Sequence, residues 1–263
     1  MRRLGVFSVL AFLCTAPLLA QDGPVRGIAD ADIRSGKTFQ QQDTQDLQDD
    51  DFANPGFLWV DQGRDLYNLR NDDTSPACAA CHGKDGAGLK GAAARYPAVD
   101  SESGVLMNLE TRIQNCQKVY QETEPYAYES DELLAVTAYT AHLSRGRPID
   151  VQIDGAAAPF FEAGQTYYYQ RKGQLNLACN HCHELNYGQM LRGDRLSQGH
   201  GNGYPAYRFE WQRAGSLHRR LRNCDEGVRA AQFDFGSPEY VALELYLAWR
   251  AKSLTVETPA VRR

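Results

Sequence analysis

Six cysteines and the histidines beside them carry the chemistry of this sequence. Cys78-Ala-Ala-Cys81-His82 and Cys179-Asn-His-Cys182-His183 each set two thiols three positions apart, with an imidazole next to the second. This is the C-x-x-C-H pattern of covalent c-type haem attachment. The two thiols reach the two vinyl groups of one porphyrin as thioethers, and the adjacent imidazole is placed under the iron as proximal ligand. Short-range disulfides or a Cys/His zinc site are the competing uses of such pairs. Zinc does not explain why a histidine follows both pairs at once. The spacing predicts two covalent haems, held by Cys78 and Cys81 with His82 on one iron, and by Cys179 and Cys182 with His183 on the other.

The two motifs sit inside a longer internal repeat, which bears on the ligand opposite each histidine. Gly63 and Tyr67 precede Cys78 by the same distances at which Gly164 and Tyr168 precede Cys179. Tyr96-Pro97-Ala98 and Tyr204-Pro205-Ala206 stand equally far before two lone cysteines, Cys116 and Cys224, inside Arg112-Ile-Gln-Asn-Cys116 and Arg220-Leu-Arg-Asn-Cys224. Met107, Met190, His142, His200 and His218 have no counterparts in the other copy, and His181 reads as a spacer between two haem cysteines. Cys116 and Cys224 do repeat. A disulfide between them is the bland alternative; equivalent residues of duplicated domains are expected to face their own haems, which gives His82/Cys116 and His183/Cys224 ligation. An anionic thiolate stabilises ferric iron and lowers its potential.

The copies differ in charge. Between Tyr207 and Arg229 stand Arg208, Arg213, Arg219, Arg220, Arg222 and Arg229 against Glu210, Asp225 and Glu226, whereas Cys116 has only Arg112 and Lys118 nearby. On a helix Arg220 and Cys224 share a face. A guanidinium there can bind an oxyanion through its planar donors and favour a thiolate. Solvated helix arginines are the plain reading for the rest of the cluster.

The elements that must position these groups are helices. The expected fold is mainly α, two tandem, duplicated cytochrome c-type domains each built around a covalent haem. Residues 52–150 form the first and 151–263 the second, which carries the active site; 21–51 are an N-terminal extension. Ser130 caps a helix over Asp131 to Leu143, and Ser237 with Pro238 starts its twin. Gly83 to Gly91, Gly199 to Gly203 and the longer Leu185 to Gly203 of the second copy read as loops. Gly146 to Ala158 reads as a linker, and Gln40 to Asp51, rich in Gln and Asp, as a solvated segment with an acidic docking site as the alternative.

The 263 residues are 43% hydrophobic and carry a net charge of -5, enough apolar material for a core and the wrong sign for a general nucleic-acid binder. Residues 1–20, with Arg2 and Arg3, an apolar run from Leu4 to Leu13 and small residues near Ala20, read as a cleaved secretory signal peptide that takes Cys14 with it. A membrane anchor is the rival use of that run, which Thr15 and Pro17 interrupt. Export favours the periplasm, and no membrane span is expected after cleavage.

These motifs, with Asn202-Gly-Tyr-Pro-Ala-Tyr-Arg208, Arg220-Leu-Arg-Asn-Cys224 and Gly236-Ser-Pro-Glu-Tyr-Val-Ala-Leu-Glu-Leu-Tyr246, resemble the SoxA family, the dihaem subunit of the Sox sulfur-oxidation cytochrome complex. The resemblance covers nearly the whole mature chain. It implies an L-cysteine S-thiosulfotransferase that conjugates thiosulfate to a cysteine of the SoxYZ carrier, with two electrons leaving through haem to a soluble cytochrome. It also implies a heterodimer with a monohaem SoxX-type cytochrome. The family's active cysteine matches Cys224, an axial ligand that carries a persulfide, and its substrate-binding arginine matches Arg220. Two readings from other classes stay open: a dihaem electron carrier without sulfur chemistry of its own, and a ligand-sensing cytochrome with a labile axial cysteine.

Overall fold

The computed structural model describes residues 27–70 and 75–263. The expected signal peptide, residues 1–20, lies outside the described residues, as does the start of the expected extension. Among the described residues nine α-helices follow one another: α1 (Gln42–Asp49), α2 (Phe57–Asn68), α3 (Cys78–His82), α4 (Leu109–Val119), α5 (Asp131–His142), α6 (Ala158–Tyr169), α7 (Cys179–His183), α8 (Leu217–Gly227) and α9 (Pro238–Arg250). Seven short strands join them: β1 (Ala98–Val99), β2 (Leu106–Met107), β3 (Met190–Leu191), β4 (Asp194–Arg195), β5 (Ala206–Arg208), β6 (Arg213–Gly215) and β7 (Ala260–Arg262). Among the described residues no helix is long and apolar enough to cross a membrane.

The repeat in the sequence is a repeat of helix crossings. In the first half α2 packs on α5, and in the second α6 packs on α9. The matching glycines sit where each pair touches. A Cβ on Gly63 would lie 1.9 Å from the carbonyl oxygen of Ala135, and one on Gly164 would lie 2.0 Å from that of Ala242. Only glycine lets the two backbones approach this closely. One turn further on, Tyr67 and Tyr168 are fully buried and pack against Tyr139 and Tyr246, with ring centroids 5.3 and 5.2 Å apart. Burying a large aromatic ring at each crossing is a main source of cohesion for halves of this size.

The C-terminal helix of each pair starts where the sequence predicts. The hydroxyl oxygens of Ser130 and Ser237 accept from the backbone N–H groups of Leu133 and Tyr240, and Pro238 occupies the first turn of α9. Both Tyr-Pro bonds of the shared Tyr-Pro-Ala are cis. The strands that follow are equivalent as well: β1 pairs Ala98 with Met107 of β2, and β5 pairs Ala206 with Gly215 of β6. The second half adds β7, parallel to β5, and the exposed β3-β4 hairpin within the long loop.

Two segments differ from expectation. Residues 40–51 are not a free solvated stretch, because they contain α1, whose Thr44 and Gln48 are buried against β7. The side-chain oxygen of Gln48 accepts from the backbone N–H of Val261 at 3.1 Å and from the Arg262 guanidinium. A helix whose inner face is polar gives no apolar stripe, so composition alone could not place it. The expected linker is likewise tied down. The backbone N–H of Ile149 donates to Leu254 and that of Asp150 to Ala94, and Ile149 and Val151 are buried.

Candidate functional site

Helices α4 and α8 present the lone cysteines. Each starts at a short polar cap: Asn108 forms a reciprocal capping box with Thr111, and the Ser216 hydroxyl accepts from the backbone N–H of Arg219. Two turns later each helix brings its cysteine to the haem motif of its own half. Cys116 lies within electrostatic reach of Cys78 and Cys81, and Cys224 within reach of Cys179, Cys182 and the His183 ring. None of these six cysteines is disulfide-bonded, and the disulfide alternative for Cys116 and Cys224 is not formed.

This donor set fits a c-type haem in each half. Two thiols on one turn, the imidazole after them and a third sulfur from another helix of the same half are the groups such a cofactor uses. His183 is oriented for the task. Its Nδ1 donates to the Ser197 carbonyl oxygen at 2.7 Å, which leaves Nε2 for the iron. The remaining histidines and methionines are occupied elsewhere. The Nδ1 of His142 bonds the Thr258 carbonyl oxygen, and that of His181 accepts from the backbone N–H of Ala178. His200 bonds Gln198. His218 accepts from the backbone N–H of Gly236 at 3.0 Å and pairs with Glu244 at 3.2 Å. Met107 is buried in β2, while Met190 is exposed on β3. Among the described residues no cluster of three or more His, Cys, Asp or Glu is arranged to hold a bare metal ion.

The two lone cysteines sit in opposite electrostatic surroundings. Burial pushes the Cys224 thiol up, but the charge of Arg220 and the hydrogen bond and charge of His183 outweigh it, and its pKa falls to about 7. At that value a substantial fraction is thiolate near neutral pH. Arg220 in turn is held more firmly protonated, chiefly by Cys224. At Cys116 burial wins over Arg112, and the thiol is pushed up. Burial also raises Cys78, Cys182 and, to about 12, Cys179. Of the cysteines whose surroundings shift them, Cys224 is the one moved toward the thiolate.

Most of the arginine cluster is structural. Arg213 pairs with Asp131 at 2.5 Å, Arg219 with Glu129 at 3.5 Å and Arg208 with Glu210 at 3.5 Å. Arg208 and Arg219 also lie over the Trp211 ring, and Arg222 lies over Phe235. Arg220 has no carboxylate partner among the described residues. The half-buried guanidinium therefore keeps donors that an oxyanion beside the Cys224 sulfur can use.

Two positions escaped sequence reasoning. The buried Asp225 carboxylate accepts from the hydroxyls of Tyr167 and Tyr240, both at 2.7 Å, and pairs with Lys172 at 2.7 Å. Its partners come from three separate segments and fix the half of α8 that carries Cys224. The signal was a bare substitution in the repeat, Asp225 against Gln117. The other is Asp100, whose carboxylate holds Arg112 at 2.8 Å. Reading the repeat two residues past Tyr-Pro-Ala would have found it.

Comparison with known proteins agrees with this geometry. Residues 62–149 match the family described as SoxA/TsdA, cytochrome c domain. The L-cysteine S-thiosulfotransferase subunit SoxA of Pseudaminobacter salicylatoxidans is 40% identical over 230 residues, covering 87% of this chain and 80% of the relative. The protein of the same name from Rhodovulum sulfidophilum is 41% identical over 231 residues, with 88% and 80% covered. A chain in the crystal structure of SoxXA from P. pantotrophus superposes with a TM-score of 0.85 at 38% identity, covering 88% of this chain and 87% of that one.

Proposed function

This chain belongs to the SoxA family of L-cysteine S-thiosulfotransferase subunits, and from that premise we propose that it joins thiosulfate to a cysteine of a SoxYZ-type carrier in the periplasm. Cys224 is the reacting residue, Arg220 binds the anion, and the partner is a monohaem SoxX-type cytochrome. The overall reaction forms one S–S bond: a carrier thiolate and thiosulfate become carrier-S-S-sulfonate, and two electrons leave. The haems held by Cys78, Cys81 and His82, and by Cys179, Cys182 and His183, supply the one-electron acceptors for that oxidation when bound, with electrons passing on to a soluble cytochrome.

The chain's own residues handle the anion and the sulfur. Arg220 offers its donors to the sulfonate oxygens of thiosulfate and turns the outer sulfur toward Cys224. The Arg220 guanidinium favours the anionic, and therefore nucleophilic, form of the Cys224 sulfur. A persulfide on Cys224 would supply an outer sulfur as the reacting atom. Thiosulfate joins its outer sulfur as two electrons are released, and attack by the carrier thiolate on the thiosulfate sulfur then transfers the group and restores the persulfide. Lys172, Tyr167 and Tyr240 hold Asp225 and, through it, the helix that aims Cys224.

The observation that supports this reading most is the divergence of the two Arg-x-x-x-Cys helices: Arg112 is held by the Asp100 carboxylate at 2.8 Å, whereas Arg220 has no carboxylate partner among the described residues. The test is mass spectrometry of the Cys224 and Cys116 peptides of natively matured protein, before and after thiosulfate and then a reductant. Reducible added sulfur is expected on Cys224 alone. Two unmodified, indistinguishable peptides would leave a dihaem electron carrier as the working description.

A further inference from the structure

The two Arg-x-x-x-Cys helices meet opposite charges from the strands before them. Sixteen residues ahead of each lone cysteine, just past Tyr-Pro-Ala, the first half has Asp100 and the second has Arg208. The strands are in register: β1 pairs Ala98 with Met107, β5 pairs Ala206 with Gly215, and each matched pair is the same distance apart in the chain. The residues that leave these strands are therefore equivalent in the fold and reversed in sign.

Asp100 is built to hold its arginine. Its carboxylate accepts from the backbone N–H of Ser103 at 3.0 Å, from the Ser103 hydroxyl at 2.7 Å and from Arg112 Nη1 at 2.8 Å. The Ser103 bonds, with Arg112 after them, hold the Asp100 carboxyl below the usual carboxylate range, so it is ionised at neutral pH. A carboxylate and a sulfonate ask for the same thing from a guanidinium, parallel N–H donors and a positive charge. Arg208 does the reverse in the second half, turning to Glu210 and the Trp211 face and leaving no carboxylate on Arg220.

We infer that Asp100 is the specificity-determining residue that closes the first half to oxyanions: it occupies Arg112 as an internal anion, and the reversal to Arg208 keeps Arg220 open. This rests on the reading of Arg220 as the thiosulfate-binding residue. It explains how two copies with the same Arg-x-x-x-Cys helix come to have one anion site between them.

The test counts anions. Haem-loaded protein, held reduced by an electrode so that no conjugation follows, is titrated calorimetrically with thiosulfate. Wild type is expected to bind one per chain, and Arg220→Gln none. Asp100→Asn is expected to bind a second, which adding Arg112→Gln to the same chain abolishes. If wild type binds none, the reading of Arg220 fails; if wild type binds one and Asp100→Asn still binds one, with unchanged circular dichroism and haem spectrum, the inference about Asp100 fails alone. Should Asp100→Asn not fold, wild-type crystals soaked in selenate decide. Selenate is expected on Arg220 and absent from Arg112, and selenate seated on Arg112 with Asp100 displaced overturns the inference.

Discussion

Helices α4 and α8 carry arginine, asparagine and cysteine at matching positions, Arg112, Asn115 and Cys116 against Arg220, Asn223 and Cys224. Yet burial wins at Cys116, while the guanidinium and imidazole win at Cys224. The difference comes from neighbours off the helix. In the first half Asp100 pairs with Arg112; in the second Arg220 has no carboxylate partner among the described residues, and Asp225 anchors the turn. The two halves present the same helix and lone cysteine, and a few charges around them set the two sulfurs apart.

The most severe break of that comparison is at the cysteines themselves. Cys224→Ala is expected to abolish conjugation, measured as thiosulfate-dependent mass gain on the carrier. Cys116→Ala should retain it and alter the spectrum of one haem. Equal loss in both variants would mean that the two sites act as a unit.

A smaller break is in how the helices are anchored. Asp225→Ala removes the partner of a half-buried ammonium and of two phenols, and is expected to cost about 3–5 kcal/mol in denaturant unfolding. Its counterpart Gln117 is buried too, but its side-chain oxygen accepts only a neutral backbone N–H, that of Tyr126 at 3.0 Å. Gln117→Ala should cost about 1–3 kcal/mol, the range for stranding one buried polar group. Comparable costs for both variants would show that the charged anchor of α8 is no stronger than the neutral one of α4.

Much of this was legible in the sequence, for a physical reason. The haem motifs are local, since their function requires neighbouring residues, and the repeat exposed the lone cysteines without any structure. Gly63 and Gly164 were visible as matched positions, but the carbonyl oxygens of Ala135 and Ala242 that exclude a Cβ lie seventy or more residues away. The plain reading of solvated helix arginines failed for Arg208 and Arg213, which lie on β5 and β6, Arg208 buried, and which with Arg219 are paired to carboxylates; composition could not tell them from Arg220. Residues 40–51 were misread because the buried inner face of α1 is polar, with Gln48 hydrogen-bonded to β7, and gives no hydrophobic signal.

The gentlest break concerns one more pair of matched positions. Glu110 in the first turn of α4 corresponds to His218 in the first turn of α8, and both face Glu244 of α9. The His218 ring lies 3.2 Å from that carboxylate, whereas Glu110 meets it as a like charge. Burial first, then Glu244 and Glu129, raise the Glu110 carboxyl well above its usual range. A folded pKa above the unfolded value of about 4.3 means that the native state holds the extra proton. The stability this contributes is full below about pH 4.3 and is lost as pH rises through the folded pKa, at no more than about 1.4 kcal/mol per pH unit for one proton. Glu110→Gln is neutral and keeps the shape, so its stability relative to wild type should grow with pH above about 5, by at most that slope. Urea unfolding of both proteins across that range reads it directly. A constant difference would mean that Glu110 is ionised in the fold, and that the acid at this position is accommodated as well as the histidine that replaces it in the second half.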